Sequence, residues 1–271
     1  MAGKAGITWM KLKTFVVALV LILALFLFAQ RHSSTPAGAA AHAVVDLTHV
    51  AGPNSPTYEA AAKSPFSATT VSTIAKGGYF AREIALPEHF STHIDAPAHF
   101  AAGGWTVDQI PADRLFAPLV VLDVTAQARE HPDYQLAAGD IAAWEARNGT
   151  IPEGAVVMMR SGWSERWDQP ARYRNAGRDG VLHFPGYSLD AARFLVEGRH
   201  AIALGIDTLS VDYGPSKDFP VHHFTAARSV YHLENVADLW RVPESGAQVV
   251  VGPAKLAGGS GGPVRILALL P

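Results

Sequence analysis

Four residues at short offsets could do chemistry together: His89, His93, Asp95 and His99, in the run His89-Phe90-Ser91-Thr92-His93-Ile94-Asp95-Ala96-Pro97-Ala98-His99. Imidazole nitrogen and carboxylate oxygen are ligands that Zn²⁺, Mn²⁺ and related ions accept. Crowding such groups into eleven residues is unfavourable unless a cation draws them together. Three ligands with an open position make a catalytic site rather than a structural one. A bound ion lowers the pKa of water from about 15.7 toward about 7 and polarises a carbonyl. A further imidazole, His99, could carry the proton between water and leaving group. Pro97 disfavours an unbroken helix through the run. In extended chain, positions 89, 93, 95 and 99 share parity and project to one side, so an extended or looped segment is expected. His32, His42, His49, His131, His183 and His200 are read as ordinary surface residues.

The elements that must position this run are read from pattern. Residues 44–48 form a short strand, and residues 51–69, with Pro53, Pro56 and Pro65, a long loop. Runs near 70–75 and 79–86, separated by Gly77-Gly78, predict a hairpin. Leu119–Val124 and Ala155–Met159 are buried strands. Asp140 caps a helix that stops at Asn148-Gly149, and Ser188 caps another through Leu195 and Val196. Ala201–Ile206 is a strand ending at Asp207, and late strands lie at Gln248–Val251 and Val264–Leu270. Hairpins mixed with βα units give the α/β class, with one catalytic domain over 42–271.

Residues 1–41 are read apart from that domain. Lys4, Lys11 and Lys13 precede an uncharged apolar run, Phe15 to Ala29, and small residues follow at Pro36–Ala43. These are marks of an export signal. At fifteen residues the run is short of the roughly 20 that span a bilayer. A cleaved signal is expected, with an uncleaved membrane anchor over 14–30 as the alternative, so the protein is periplasmic, secreted or membrane-anchored. The body then carries 18 Lys and Arg against 24 Asp and Glu. Without a basic stripe, nucleic acid is excluded as a partner. The absence of Cys excludes disulfides, a thiolate metal site and a Cys nucleophile.

The run from His89 to His99 resembles the His-x-Gly-Thr-His-x-Asp-x-Pro-x-His signature of the metal-dependent cyclase family, which includes bacterial kynurenine formamidase and isatin hydrolase. Similarity extends from Asp46-Leu47-Thr48-His49 onward. Val157–Trp163 resembles a strand ending in Arg-Thr-Gly-Trp, Gly205–Asp212 a Gly-x-Asp-x-x-Ser-x-Asp segment, and His222 with Glu234-Asn235 a late His and Glu-Asn pair. The resemblance implies a mixed-sheet swivelling β/β/α fold. It implies that His89, His93 and Asp95 bind metal, with Asp95 able to bridge two ions. His222 and Glu234 would complete a second site, and His99 would be the acid/base. His223 is an alternative to His222, and His232 ranks below both. Ser91 stands where the family usually has Gly.

The expected function is hydrolysis of a small amide or cyclic amide, such as an aryl formamide or isatin-like compound, with one or two Zn²⁺ or Mn²⁺ ions. The alternatives are a cyclase or dehydratase on a small carbonyl substrate and a non-catalytic exported metal-binding protein. A homodimer or homotetramer is expected. Gly258-Gly259-Ser260-Gly261-Gly262 matches Gly-x-Ser-x-Gly, but a nucleophile elbow needs a strand before it and a helix after it. A strand-like segment follows here, so the stretch is read as a glycine-rich loop. Among Trp163, Trp167, Tyr173, Phe184 and Tyr187, some could wall the pocket; most of residues 163–187 is read as a solvated loop.

Overall fold

The computed structural model describes residues 43–60 and 64–271. The leader or anchor expected over 1–41 lies outside the described residues. Among the described residues the strands are β1 (Val44–Asp46), β2 (Ser67–Ser72), β3 (Ala81–Ala85), β4 (His93–Asp95), β5 (Phe116–Asp123), β6 (Gln135–Leu136), β7 (Val156–Arg160), β8 (Gly186–Tyr187), β9 (Ala203–Ile206), β10 (Tyr231–Glu234), β11 (Ala247–Pro253) and β12 (Gly261–Leu269). The helices are α1 (Ile74–Gly77), α2 (Thr125–Glu130), α3 (Ala138–Asn148), α4 (Pro170–Arg174), α5 (Leu189–Arg193) and α6 (Pro220–Ala226).

The main sheet runs β1-β12-β11-β5-β7-β9-β10-β4, and β4 also pairs with β12, which closes it into a barrel. β5, β7, β9 and β10 run parallel, as βα connections allow, while β4 is antiparallel to both its neighbours. Side chains alternate across each strand. Ile94, Leu119, Val121, Val156, Met158, Ala203, Tyr231, Leu233, Val249 and Ile266 belong to one core cluster. Val120, Leu122, Val157, Met159, Leu204 and Ile206 belong to a second, packed with Ile141, Trp144, Ala191, Leu195, Val221 and Phe224 of the helices. The barrel is thus filled on one face and helix-covered on the other, the α/β class that the pattern predicts. In β4 and β10, Ile94, Tyr231 and Leu233 take the filled face, which leaves His93, Asp95, His232 and Glu234 for the opposite one.

Several expectations change in detail. Asp140 does not cap α3 from its N-cap position; it sits in the first turn, where its carboxylate accepts from Ala137 N at 2.8 Å. Ser188 does cap α5, accepting from Ala191 N at 3.1 Å. The hairpin is β2–β3, with α1 between its strands. Val71, Ile74, Tyr79, Phe80 and Ile84 on this arm are all exposed. The segment 163–187 is not a solvated loop with pocket-facing rings: Trp163, Trp167, Tyr173, Leu182, Phe184 and Leu209 form a third core cluster, and Tyr187 joins the second.

His49 is not an ordinary surface residue either. Its ring stacks on Trp167 with centroids 4.0 Å apart and planes within 5°. Burial lowers its pKa to about 4. In the unfolded chain it would titrate near about 6.5. Its neutral form is therefore favoured in the folded state, and stability is unaffected above the unfolded value. Between about pH 6.5 and 4 only the unfolded chain takes up the proton, so stability falls as pH drops through that window. Thermal melts should show a smaller loss across it for His49→Phe than for the wild type; parallel losses would contradict this account of His49.

Candidate metal centre

The antiparallel register of β4 on β10 sets the centre. Asp95 lies opposite His232, and His93 lies opposite Glu234. Cross-strand neighbours on one face have Cβ atoms within about 5 Å, so two short strands bring four ligating side chains together. All four are buried. His222 reaches the same place from α6. Asp212 orients it, accepting from Val221 N at 3.0 Å, from His222 N at 3.1 Å and from His222 Nδ1 at 2.6 Å. With Nδ1 committed to Asp212, Nε2 faces Asp95 Oδ2 at 3.3 Å and Glu234 Oε1 at 3.2 Å.

His89 comes from the loop before β4. Its Nδ1 lies 2.6 Å from Asp95 Oδ1 and its Nε2 2.9 Å from Ser260 Oγ. Ser260 donates its hydroxyl to Glu88 Oε2 at 2.6 Å, and its backbone N–H goes to the same oxygen at 2.9 Å. These bonds hold the Glu88 carboxyl below its usual range. A hydroxyl that donates to a carboxylate must accept from His89 Nε2–H. Gly261 is required here: a Cβ at this position would fall 2.5 Å from Ile94 O and 2.6 Å from His89 Cε1. The glycine-rich loop is a seat for the imidazole.

Ser91 has φ +59°, where glycine is at ease and a side chain is disfavoured. That turn interrupts the extended run, so parity explains His93 and Asp95 but not His89 or His99. The Ser91 carbonyl accepts from His93 Nδ1 at 3.0 Å and from Asn235 Nδ2 at 2.8 Å. His93 Nε2 is left facing Asp95 Oδ1 at 3.2 Å and Glu234 Oε2 at 3.5 Å. Tyr173 donates to Asn235 Oδ1 at 3.0 Å, so a core aromatic braces the site from behind.

Charge is strongly coupled here. Burial opposes ionisation of His93, but Asp95 and Glu234 outweigh it and raise its pKa to about 9. Burial would push Asp95 up, but the charge of His93 and the other imidazoles around it, His222 foremost, hold it well below the carboxylate range. His222, with Asp212, Asp95 and Glu234 around it, is raised despite burial. The cluster calls for positive charge, supplied by protons or by a cation. The donor set is imidazole and carboxylate alone, and three overlapping groups of ligand atoms lie close enough to share an ion: His89, Asp95 and His99; His93, Asp95 and Glu234; Asp95, His222 and His232. The residues fit a divalent ion of the zinc or manganese kind.

His99 ends the turn Pro97–His99 and stacks on His89, centroids 3.9 Å apart. His99 is exposed at the cleft, yet the desolvation it meets there lowers its pKa to about 4, so it is neutral at pH 7. The structure brings His89, His93, Asp95, His99, His222 and Glu234 around one cleft of about 170 Å³. His223 does not join them; it is exposed and packs edge-on against Phe100. The aromatic walls are Tyr58, Phe100 and Phe219, not the residues 163–187. Ser260, Glu88 and Phe100 carry no site role in the sequence reading.

Comparison with known proteins agrees with this geometry. Residues 45–213 match the model of the Cyclase family, described as "Putative cyclase". An isatin hydrolase of Roseibium aggregatum is 34% identical over 246 residues, 84% of this chain and 92% of the relative. A kynurenine formamidase of Paracidovorax citrulli is 26% identical over 196 residues, covering 69% and 79%. The solved isatin hydrolase A of Labrenzia aggregata, bound to benzyl benzoate, superposes with a TM-score of 0.79 at 33% identity, over 90% of this chain and 98% of that one. Proteins described as metal-dependent hydrolases share the fold. A closed mixed barrel that aims histidines and carboxylates into one cleft, and a sequence matched along most of its length, place this chain in the Cyclase family.

Proposed function

We propose that the protein is a metal-dependent hydrolase that opens the C–N bond of a small amide, an aryl formamide or an isatin-like cyclic amide. One observation carries the reading: His93, His222 and two carboxylates turn ligand atoms toward a shared centre, each imidazole having its other nitrogen committed to Ser91 or Asp212. Relatives named isatin hydrolase and kynurenine formamidase point to the bond.

His89, His93 and Asp95 would hold one ion in this reading, and His222 and Glu234, with Asp95, would hold a second. The bound ion, Zn²⁺ or Mn²⁺, would supply Lewis acidity for the carbonyl and lower the pKa of water. The protein's own groups do the rest. His99, neutral at pH 7 and beside the centre, accepts a proton from the attacking water and returns it to the departing nitrogen. Phe100, Phe219 and Tyr58 narrow the cleft around a flat substrate and exclude bulk water. Ser260 keeps the ring of His89 in the tautomer whose Nδ1 is free to ligate.

The exposed apolar face of the β2–β3 arm supports a homodimer or homotetramer, since patches of this kind mark protein interfaces. The basic and apolar pattern of residues 1–41 supports export or a membrane anchor.

Purified protein should hydrolyse isatin or N-formylkynurenine, lose that activity to a chelator and regain it with Zn²⁺ or Mn²⁺; turnover untouched by exhaustive chelation would contradict the reading. His99→Ala should retain its metal by elemental analysis while turnover drops about 10²–10⁴-fold. Loss of the metal instead would make His99 a ligand. Ser260→Ala should weaken metal affinity about 10–100-fold, with Ser260→Thr restoring most of it, and an unchanged dissociation constant would remove Ser260 from the centre.

A further inference from the structure

The second half of the centre holds a buried histidine that the roles above leave unused. His232 is 2% exposed. Its Nε2 lies 2.6 Å from Thr225 Oγ1. That hydroxyl is placed to donate along α6 to Val221 O, at 2.7 Å. Having one proton to give, it accepts from His232 Nε2–H. Nδ1 then carries a lone pair. It has no hydrogen-bond partner among the described residues, and the nearest charged atom is Asp95 Oδ2 at 3.7 Å. A buried polar atom without a partner is costly, and a lone pair directed at a carboxylate oxygen more so.

The surroundings show what would satisfy it. Asp95 and Glu234 each divide their two oxygens between two imidazole pairs. Asp95 Oδ1 and Glu234 Oε2 face His93 Nε2, with His89 Nδ1 also on Asp95 Oδ1. Asp95 Oδ2 and Glu234 Oε1 face His222 Nε2, with His232 Nδ1 on Asp95 Oδ2. On the second side, Asp95, His222 and His232 offer ligand atoms close enough together to share an ion. There His222 Nε2 lies 3.3 Å from Asp95 Oδ2 and 3.2 Å from Glu234 Oε1, and His232 Nδ1 lies 3.7 Å from Asp95 Oδ2. Four donors about 2.1 Å from a tetrahedral ion stand roughly 3.4 Å apart. The β4–β10 register sets His232 directly across from Asp95.

We infer that His232 is a metal ligand in this protein, and that with Asp95 and His222 it forms a three-donor nest, beside Glu234, for a second divalent ion. This rests on the metal-hydrolase reading above and adds to it one ligand and a fixed stoichiometry. Thr225 is its positioning residue, holding the tautomer in which Nδ1 ligates.

The test is a Zn²⁺ titration of the chelator-stripped full chain by calorimetry, checked by elemental analysis. Two ions per wild-type chain are expected. H232Q should keep one ion at wild-type affinity and weaken the other about 100-fold or more, and T225V should weaken that same ion about tenfold. Because a buried substitution can compromise folding, histidine ¹⁵N spectra of the wild type serve as a second readout. Zn²⁺ beyond one equivalent should shift an Nδ1 resonance whose ring proton is on Nε2. Undiminished binding of both ions by folded H232Q, or no Nδ1 shift at the second equivalent, overturns the inference. One ion per chain with amide hydrolysis intact overturns it too and leaves the hydrolase reading standing. A chain that binds no ion removes both.

Discussion

The centre depends on the buried carboxylate of Asp95. It is 3% exposed and has four imidazoles within reach, His89, His93, His222 and His232. Burying a carboxylate among neutral groups is strongly unfavourable, and removing one partner of a buried ion pair typically costs about 3–5 kcal/mol. The surrounding structure is arranged to prevent that. Each imidazole has a second partner that fixes its ring: Ser260, the Ser91 carbonyl, Asp212 and Thr225. Those partners come from a glycine-rich loop, a left-handed turn, the segment after β9 and α6. The ligands converge because separate parts of the chain restrain them, not because they are close in sequence.

The barrel makes that restraint possible. β4 is only three residues long, too short to be stable as an isolated pair. It gains from being hydrogen-bonded on both edges, to β10 and to β12, and from Ile94, which enters the filled core. Closing the sheet at β4 therefore does two things at once. It removes an exposed edge, and it clamps His93 and Asp95 between the strand that supplies Glu234 and the loop that seats His89. The paired Asp residues of the segment 207–212 divide the remaining labour. Asp207 accepts from Ser161 and Trp163 to pin the end of β7, while Asp212 turns His222 toward the cleft.

Much of this was legible in the sequence, for definite reasons. His89, His93, Asp95 and His99 could be read because they lie within eleven residues, so local density revealed them. β5, β7 and β9 could be read because buried parallel strands are continuous apolar runs. His222 and Glu234 entered only through family resemblance, since no local pattern joins residues more than 120 positions from Asp95. β4 and β10 are too short to show a period, so nothing in the sequence set His232 opposite Asp95. The aromatic residues 163–187 show the limit from the other side: the same rings suit a core or a pocket wall, and only packing separates the two. Ser260 was hidden because the glycines around it read as loop, whereas Gly261 is glycine because the His89 ring occupies the place of a side chain.

An anomalous-scattering map from crystals grown with zinc would test the central claim most directly. The account predicts density in contact with Asp95, about 2.1 Å from the nitrogens that face it, with His89 and His93 converging on the same ion. Imidazoles turned apart, with zinc supplied and nothing bound beside Asp95, would contradict it.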